Sequence, residues 1–289
     1  MEINQLQDCR VELLKGFNRV YGLNGYQIPT DKESIYKYLP LKYLKADITK
    51  SRITFVSPNT WEDTFETRYY KLKHYNSKLA FLEPTLFCMC LTSKQATNED
   101  AFWRRYATQN DDLIKVHYNI KELFRILEAF ATKHNAEIYA GEVIYTDKTS
   151  IELITPTKNK IFFPKPFELK HYLSLMSLKR RAFRYENEVR IFVVFNKDND
   201  LNDTIVEYAD ENKEIEKLLF VEYSNNDEIN GCSHIGQVRV SPYPKSASKF
   251  PKPDKDTELV KRRNKISKSL KGIKVTRSML FEPCPKCRL

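Results

Sequence analysis

The stretch Tyr185-Glu186-Asn187-Glu188-Val189-Arg190-Ile191-Phe192-Val193-Val194 joins alternating charged residues to an apolar run. The run predicts a strand over residues 188–195, on which side chains two residues apart point to the same face. Glu186, Glu188 and Arg190 are therefore expected to converge. Neighbouring carboxylates raise each other's proton affinity while a guanidinium opposes the effect, so the glutamates can divide the roles of base and charge stabiliser. The alternative is a solvated strand face that carries an ordinary ion pair.

Outward from this strand, helices and strands are predicted in an irregular mixture, which favours an α+β fold over a strict alternation of the two. The apolar fraction of 41% is large enough for a real core. Predicted strands cover residues 34–38, 52–57, 86–92, 113–118, 136–145, 204–208, 218–223 and 237–240. Predicted helices cover residues 3–21, 39–48, 60–77, 98–106, 119–134, about 167–183 and 257–272.

The excess of positive charge lies in the C-terminal part of the chain. The formal net charge is +10, from 48 Lys and Arg against 38 Asp and Glu. Residues 243–289 hold 14 of the former and 4 of the latter, which leaves 34 of each in residues 1–242. A neutral body with a basic extension predicts attraction to a polyanion, either nucleic acid or an acidic protein surface. The residues expected to bind nucleic acid are Lys261, Arg262, Arg263, Lys265 and Lys268.

That basic stretch also carries a thin apolar stripe, formed by Leu259, Ile266, Leu270 and Ile273 at helical spacing. The helix over residues 257–272 is therefore expected either to dock on the body or to fold only on a partner.

Three further features predict the cellular environment. No window approaches the roughly twenty apolar residues of a membrane span, and no basic segment precedes an apolar run near the N-terminus. The six cysteines are sparse for 289 residues, which favours a reducing compartment. A cytoplasmic protein without a membrane partner is predicted.

The single Cys-x-x-Cys at Cys284 and Cys287 lacks further ligands at zinc-site spacing, so no metal is expected.

Several short pieces of the chain resemble a known family when they are taken in order. They are Ile35-Tyr36-Lys37-Tyr38, Ile53-Thr54-Phe55-Val56-Ser57-Pro58, Trp61-Glu62-Asp63-Thr64-Phe65-Glu66, Cys90-Leu91-Thr92-Ser93, Trp103-Arg104-Arg105-Tyr106-Ala107, Lys179 and Glu186-Asn187-Glu188-Val189-Arg190-Ile191. Together they resemble the prokaryotic family called domain of unknown function 2971, over about residues 34–242. That family in turn resembles the ADP-ribosyltransferases, whose catalytic residues lie on three strands: a His or Arg, then a Tyr or Ser, then a Glu.

The second resemblance implies a split mixed or antiparallel sheet with flanking helices, and a site that binds NAD as a substrate. It places the last glutamate at Glu188, with Glu186 as a second catalytic residue. The residues that it implies for NAD binding are Tyr36, Lys37, Ser57, Arg104 and Arg190. Lys37 stands where the family has its usual histidine, so the positive charge is kept and the imidazole shape is not.

The function so implied is transfer of ADP-ribose from NAD to a nucleic acid or a protein, as in a toxin or an anti-phage defence effector, with an antitoxin or regulator as a further partner. The division expected is an accessory helix in residues 1–33, an ADP-ribosyltransferase-like body in 34–242 and a basic extension in 243–289. The alternative is a catalytically inert protein that binds nucleic acid or a partner on the same scaffold.

Overall fold

The computed structural model describes residues 20–22, 34–61, 66, 85–93, 99–106, 111–146, 169–195, 205–209, 215–223, 232–243 and 256–277. The chain divides into two compact units that alternate along the sequence. The first unit comprises Met1–Ile28, Ile53–Leu91 and Ile126–Val221, and the second comprises Pro29–Arg52, Thr92–Arg125 and Glu222–Leu289.

Strands and helices are mixed throughout the described residues. The strands are β1 (Val20–Gly22), β2 (Ser34–Pro40), β3 (Arg52–Val56), β4 (Thr85–Ser93), β5 (Leu113–Asn119), β6 (Ala136–Glu142), β7 (Ile144–Thr146), β8 (Leu178–Arg180), β9 (Glu188–Phe195), β10 (Ile205–Ala209), β11 (Ile215–Glu222), β12 (Ile235–Val240) and β13 (Val275–Arg277). The helices are α1 (Leu41–Thr49), α2 (Glu99–Arg105), α3 (Ile120–His134), α4 (Leu169–Leu175) and α5 (Asp256–Ser269), with 3-10 helices at Pro58–Thr60 and Arg181–Glu186.

In the first unit, the fully buried strand β9 lies between β6 and β4. Strand β6 is antiparallel to both β9 and β1, and β4 also pairs with β3, which leads on to β11 and β10. The short strands β7 and β8 form a parallel pair beside them. An apolar cluster that includes Cys88, Leu173, Met176 and Phe192 fills the space between α4 and the sheet. Burial on both sides explains why β9 is a continuous apolar run after its first charges.

In the second unit, the strand order is β2, β5, β12 and β13, and the last residues of β4 pair with β2. Strands β2, β5 and β12 are antiparallel neighbours, whereas β13 runs parallel to β12. The predicted α+β class, with a mixed sheet and helices, is confirmed at this level. The helix predicted over residues 257–272 is α5, and its Leu259, Ile266 and Leu270 are buried. Of the two outcomes expected for this helix, docking is the one observed.

The helix predicted over about residues 167–183 is confirmed at Leu169–Leu175 and wrong beyond it. Helix α4 ends at Leu175, and the chain then forms β8 and the 3-10 helix Arg181–Glu186. Ser177 closes α4, because its hydroxyl donates to the Leu173 carbonyl at 2.9 Å. The Ser177 carbonyl then accepts the Ile144 N–H at 2.8 Å, which starts the pairing of β7 with β8. A short tertiary strand pairing therefore overrides helical spacing here.

Three other predicted elements differ from the structure or lie mostly outside the described residues. The strand predicted over 136–145 is interrupted at Val143, whose N–H bonds to the Glu188 carbonyl at 2.9 Å. The end of the helix predicted over 3–21 is wrong, since Val20–Gly22 is a strand paired with β6, and residues 3–19 lie outside the described residues. Most of the helix predicted over 60–77 also lies outside them, although Glu66 is helical.

The predicted boundaries after residues 33 and 242 do not coincide with the division into two units, because each unit draws on three separated segments. No helix among the described residues is both long enough and apolar enough to cross a bilayer.

Candidate functional site

Glu186 and Glu188 approach each other from different elements of the first unit. Glu186 ends the 3-10 helix, and Glu188 begins β9. Asn187 between them has a left-handed backbone, with φ 39° and ψ 54°, which asparagine tolerates better than most residues. The two glutamates are therefore not successive positions on one strand face. Only Glu188 and Arg190 show the alternation that the sequence predicts.

Lys179, on β8, joins the carboxylates together. Its Nζ lies 2.7 Å from Glu186 Oε2, 2.7 Å from Glu188 Oε2 and 3.4 Å from Glu66 Oε1. Arg190 completes the arrangement from β9, since its Nε donates to Glu188 Oε1 at 2.7 Å. The rest of the guanidinium donates to Glu66 Oε2 and to the Met176 carbonyl. We call Glu66, Lys179, Glu186, Glu188 and Arg190 the charge cluster.

The charge cluster is almost closed to solvent. Its side chains are between 0 and 8% exposed. The solvated strand face that was the alternative for these residues is therefore excluded. Charges buried to this degree persist only when they are paired and hydrogen-bonded, and each cation here has several acidic or carbonyl partners.

The cations control the protonation of Glu188. Burial alone would raise its pKa, but Arg190 and then Lys179 outweigh burial and hold the pKa well below its ordinary value. Burial likewise opposes the charge of Lys179, but Glu188 and then Glu66 raise its pKa overall. Glu188 is thus ionised throughout the neutral range and is a weak base. A fixed negative charge suits the role of charge stabiliser better than that of proton acceptor.

Aromatic groups border the charge cluster. The Arg190 guanidinium lies 4.2 Å from the centroid of the half-buried Trp61 indole ring. The Glu188 N–H donates to the Tyr145 hydroxyl oxygen at 2.8 Å, which ties the first residue of β9 to β7. Lys179 Nζ lies 5.2 Å from the centroid of the Phe183 ring. These contacts fix the positions of both cations as well as that of Glu188.

The other residues predicted to bind NAD are divided between the units. Ser57 belongs to the first unit, is buried, and donates its N–H to the Lys217 carbonyl at 3.0 Å. Tyr36, Lys37 and Arg104 belong to the second unit. Arg104 is 38% exposed on α2, with its Nε 2.8 Å from Asp100 Oδ2.

Tyr36 and Lys37 cannot face one ligand from the same side of β2, because successive side chains of a strand point to opposite faces. Tyr36 shares its face with His117 of β5, and their ring centroids lie 5.1 Å apart. Lys37 pairs with the fully buried Val116, on the face that also carries Ile35 and Leu39. A ligand bound against one face of β2 can therefore contact the side chain of Tyr36 or that of Lys37, but not both.

Tyr145 and the Met176 carbonyl belong to the site although no sequence pattern singled them out. They come from β7 and from the turn after α4, so no periodicity relates them to β9. Among the described residues, no group of three or more His, Cys, Asp or Glu is arranged to hold a metal ion. Comparisons with protein-family models, curated proteins and solved structures find no match to the chain.

Proposed function

We propose that the charge cluster is the centre of an ADP-ribosyltransferase site that cleaves NAD and passes ADP-ribose to a macromolecular acceptor. The observation that supports this proposal most strongly is the balance of charge. Three carboxylates (Glu66, Glu186 and Glu188) face two cations (Lys179 and Arg190), which leaves a formal charge of −1 in a buried setting. A negative site of this kind favours a reaction that develops positive charge.

Cleavage of NAD develops that charge. The bond between the ribose carbon and the nicotinamide nitrogen breaks, nicotinamide departs with the bonding pair, and the sugar becomes cationic as in glycoside cleavage. Glu188 stabilises the cation and accepts a hydrogen bond from a ribose hydroxyl. Its two oxygens use one lone pair each on Arg190 and Lys179, so acceptor capacity remains.

Glu186 is the second catalytic residue in this proposal. The acceptor atom that attacks the sugar must lose a proton as its bond to carbon forms. Glu186 and Glu188 share Lys179 as an ion-pair partner, so the two carboxylates lie close together. It orients the acceptor and takes the proton, whereas Glu188 remains ionised. A nucleic acid or a protein side chain can serve as the acceptor, and the activity would suit a cytoplasmic toxin or defence effector controlled by an antitoxin.

The experiment is incubation of the full chain with NAD labelled in its adenylate half, in the presence of mixed nucleic acids and proteins. We expect release of nicotinamide together with labelled acceptor or free ADP-ribose. Glu186→Gln should lower labelling of the acceptor more than release of nicotinamide. If neither nicotinamide nor labelled product forms after prolonged incubation, the proposed enzyme activity is rejected.

A second function is favoured by the closure of the charge cluster. Every member has an ion-pair partner inside the first unit, as expected of a network that only holds the fold together. Lys37 in place of the family's histidine favours the same view. The chain would then be an inert protein that binds nucleic acid or another partner, and the labelled NAD would remain intact.

A further inference from the structure

The outward face of α5 carries a row of lysines. Lys261, Lys265 and Lys268 are exposed on this helix, and Lys271 and Lys274 are exposed just after it. Between residues 256 and 277, eight Lys and Arg stand against Asp256 and Glu258 alone. A charge row on a helix is most often a solvated face, so its significance depends on how the helix is held.

Helix α5 is held firmly in the second unit. Leu259, Ile266 and Leu270 are 5%, 2% and 3% exposed and Ile273 is half-buried, so most of the apolar stripe is covered. Arg262 forms an ion pair with Asp112 at 3.0 Å, which ties the helix to the segment before β5. Strand β13, which follows the helix, pairs with β12. The lysines are thus displayed on a preformed surface, which lowers the entropy lost on binding.

The chemistry of this surface is that of exposed positive charge. Lys261 Nζ pairs with Glu258 Oε1 at 2.9 Å on the exposed helix surface, and the Ser269 hydroxyl donates to the Ile266 carbonyl at 2.8 Å. A shallow depression is lined by Lys261, Asn264, Lys265, Lys268 and Ser269. From Lys261 to Lys268 the helix rises roughly 10 Å at about 1.5 Å per residue. One nucleic-acid strand carries a phosphate about every 3.4 Å along the helix axis, so the row spans about three phosphates.

The residue types that line the depression distinguish an acidic protein from a nucleic acid as the polyanion that binds there. A protein partner would need apolar or aromatic anchors to bury, and the residues that line this depression include none. Single-stranded nucleic acid would need aromatic rings for base stacking, which are also missing from this lining. Lysines act as point charges on phosphates and carry little base specificity.

We propose that the face formed by Lys261, Asn264, Lys265, Lys268 and Ser269 binds the phosphate backbone of duplex nucleic acid without sequence preference. Binding itself does not depend on catalysis. The corollary, that duplex nucleic acid is the acceptor of ADP-ribose, rests on the proposed function.

The test measures binding of the full chain to a fluorescent mixed-sequence DNA duplex by anisotropy, at several salt concentrations and without NAD. We expect log affinity to fall linearly with log salt. The triple variant Lys261→Gln, Lys265→Gln, Lys268→Gln should bind at least tenfold more weakly. Its salt slope should be shallower by about 2 to 3, because each phosphate that a lysine no longer neutralises reduces the slope by about 0.9.

The matched control replaces Lys50, Lys121 and Lys133 by glutamine. These lysines are also exposed, none lies on α5, and the change in net charge is identical. The control should keep the wild-type affinity and slope, and thermal unfolding should show that both triples fold. An equal loss in both triples would mean that only overall charge attracts DNA, which would overturn the proposal.

Two competitors and one activity assay complete the design. Stronger competition by an acidic polypeptide or by single-stranded DNA than by duplex would also overturn the proposal. Release of nicotinamide is measured separately, without an acceptor. Duplex binding without NAD cleavage would reject the proposed enzyme activity and support the proposed binding surface. NAD cleavage without duplex binding would support the enzyme activity and reject the binding surface.

Discussion

At the scale of single residues, Arg190 is the centre of the charge cluster. It is fully buried and bonds to Glu188, Glu66 and the Met176 carbonyl, while Trp61 covers its guanidinium. The convergence of Glu188 and Arg190 was predictable from strand alternation. The roles of Glu66 and Lys179 were not, because both come from separate segments and no spacing rule relates them to β9.

Arg190→Met should destabilise the protein by about 3–5 kcal/mol, since Glu188 and Glu66 would keep their charge with Lys179 alone as partner. Urea unfolding followed by circular dichroism measures the loss. Arg125→Met is the control, because Arg125 pairs with Glu122 at 3.0 Å on an exposed helix surface, and such pairs contribute about 0–1 kcal/mol. A loss for Arg190→Met no larger than that of the control would contradict the structural role given to the cluster.

His234 makes the stability of the protein depend on pH. It is 3% exposed and lies between Tyr118 and Tyr223, with ring centroids 6.2 Å and 4.8 Å away. Burial, only partly opposed by Glu122, lowers its pKa to about 4. The unfolded chain, with a pKa of about 6.5, therefore takes up the proton first.

Because the folded pKa is the lower one, the stability that His234 contributes above pH 6.5 is lost as the pH falls from about 6.5 to about 4. The total is roughly 3 kcal/mol for a shift of this size. Urea midpoints at pH 7 and pH 4.5 should differ more for the wild type than for His234→Phe. Equal pH dependence in the two proteins would show that His234 is not buried in its neutral form.

At the scale of elements, long periodic segments were predictable and very short strands were not. Helices α3 and α5 have enough residues for an apolar face to repeat, and both occur close to where the sequence predicts them. Strands β7, β8 and β13 have three residues each, too few for any period. Their pairing partners determine them, as β8 illustrates by lying within the second half of a predicted helix.

The docking of α5 depends on Ile266, which is 2% exposed. Ile266→Ala should lower stability by about 2–4 kcal/mol, because it leaves a cavity where the helix meets the rest of its unit. Backbone amides of α5 should then exchange hydrogen faster, as mass spectrometry of peptic fragments would show. Asn264→Ala, on the exposed side of the same helix, should leave exchange unchanged. Slow exchange in both variants would mean that the apolar stripe does not anchor the helix.

At the scale of the whole molecule, the two units alternate along the chain, and each draws on three separated segments. Contacts between segments distant in sequence define each unit, and composition does not report them. The segment that holds the excess charge supplies the exposed lysines of α5, and the attraction to a polyanion stays a prediction. The proposed division of labour places catalysis in the first unit and nucleic-acid binding in the second.

We propose that Glu188 performs chemistry as well as maintaining the charge cluster. The most direct measurement compares nicotinamide release by Glu188→Gln and Glu66→Gln, each of which removes one carboxylate that pairs with both Lys179 and Arg190. With both variants shown to be folded, we expect Glu188→Gln to lower the rate on the order of 10²-fold or more and Glu66→Gln to lower it far less. Wild-type rates from folded Glu188→Gln, or equal losses in both variants, would contradict the claim.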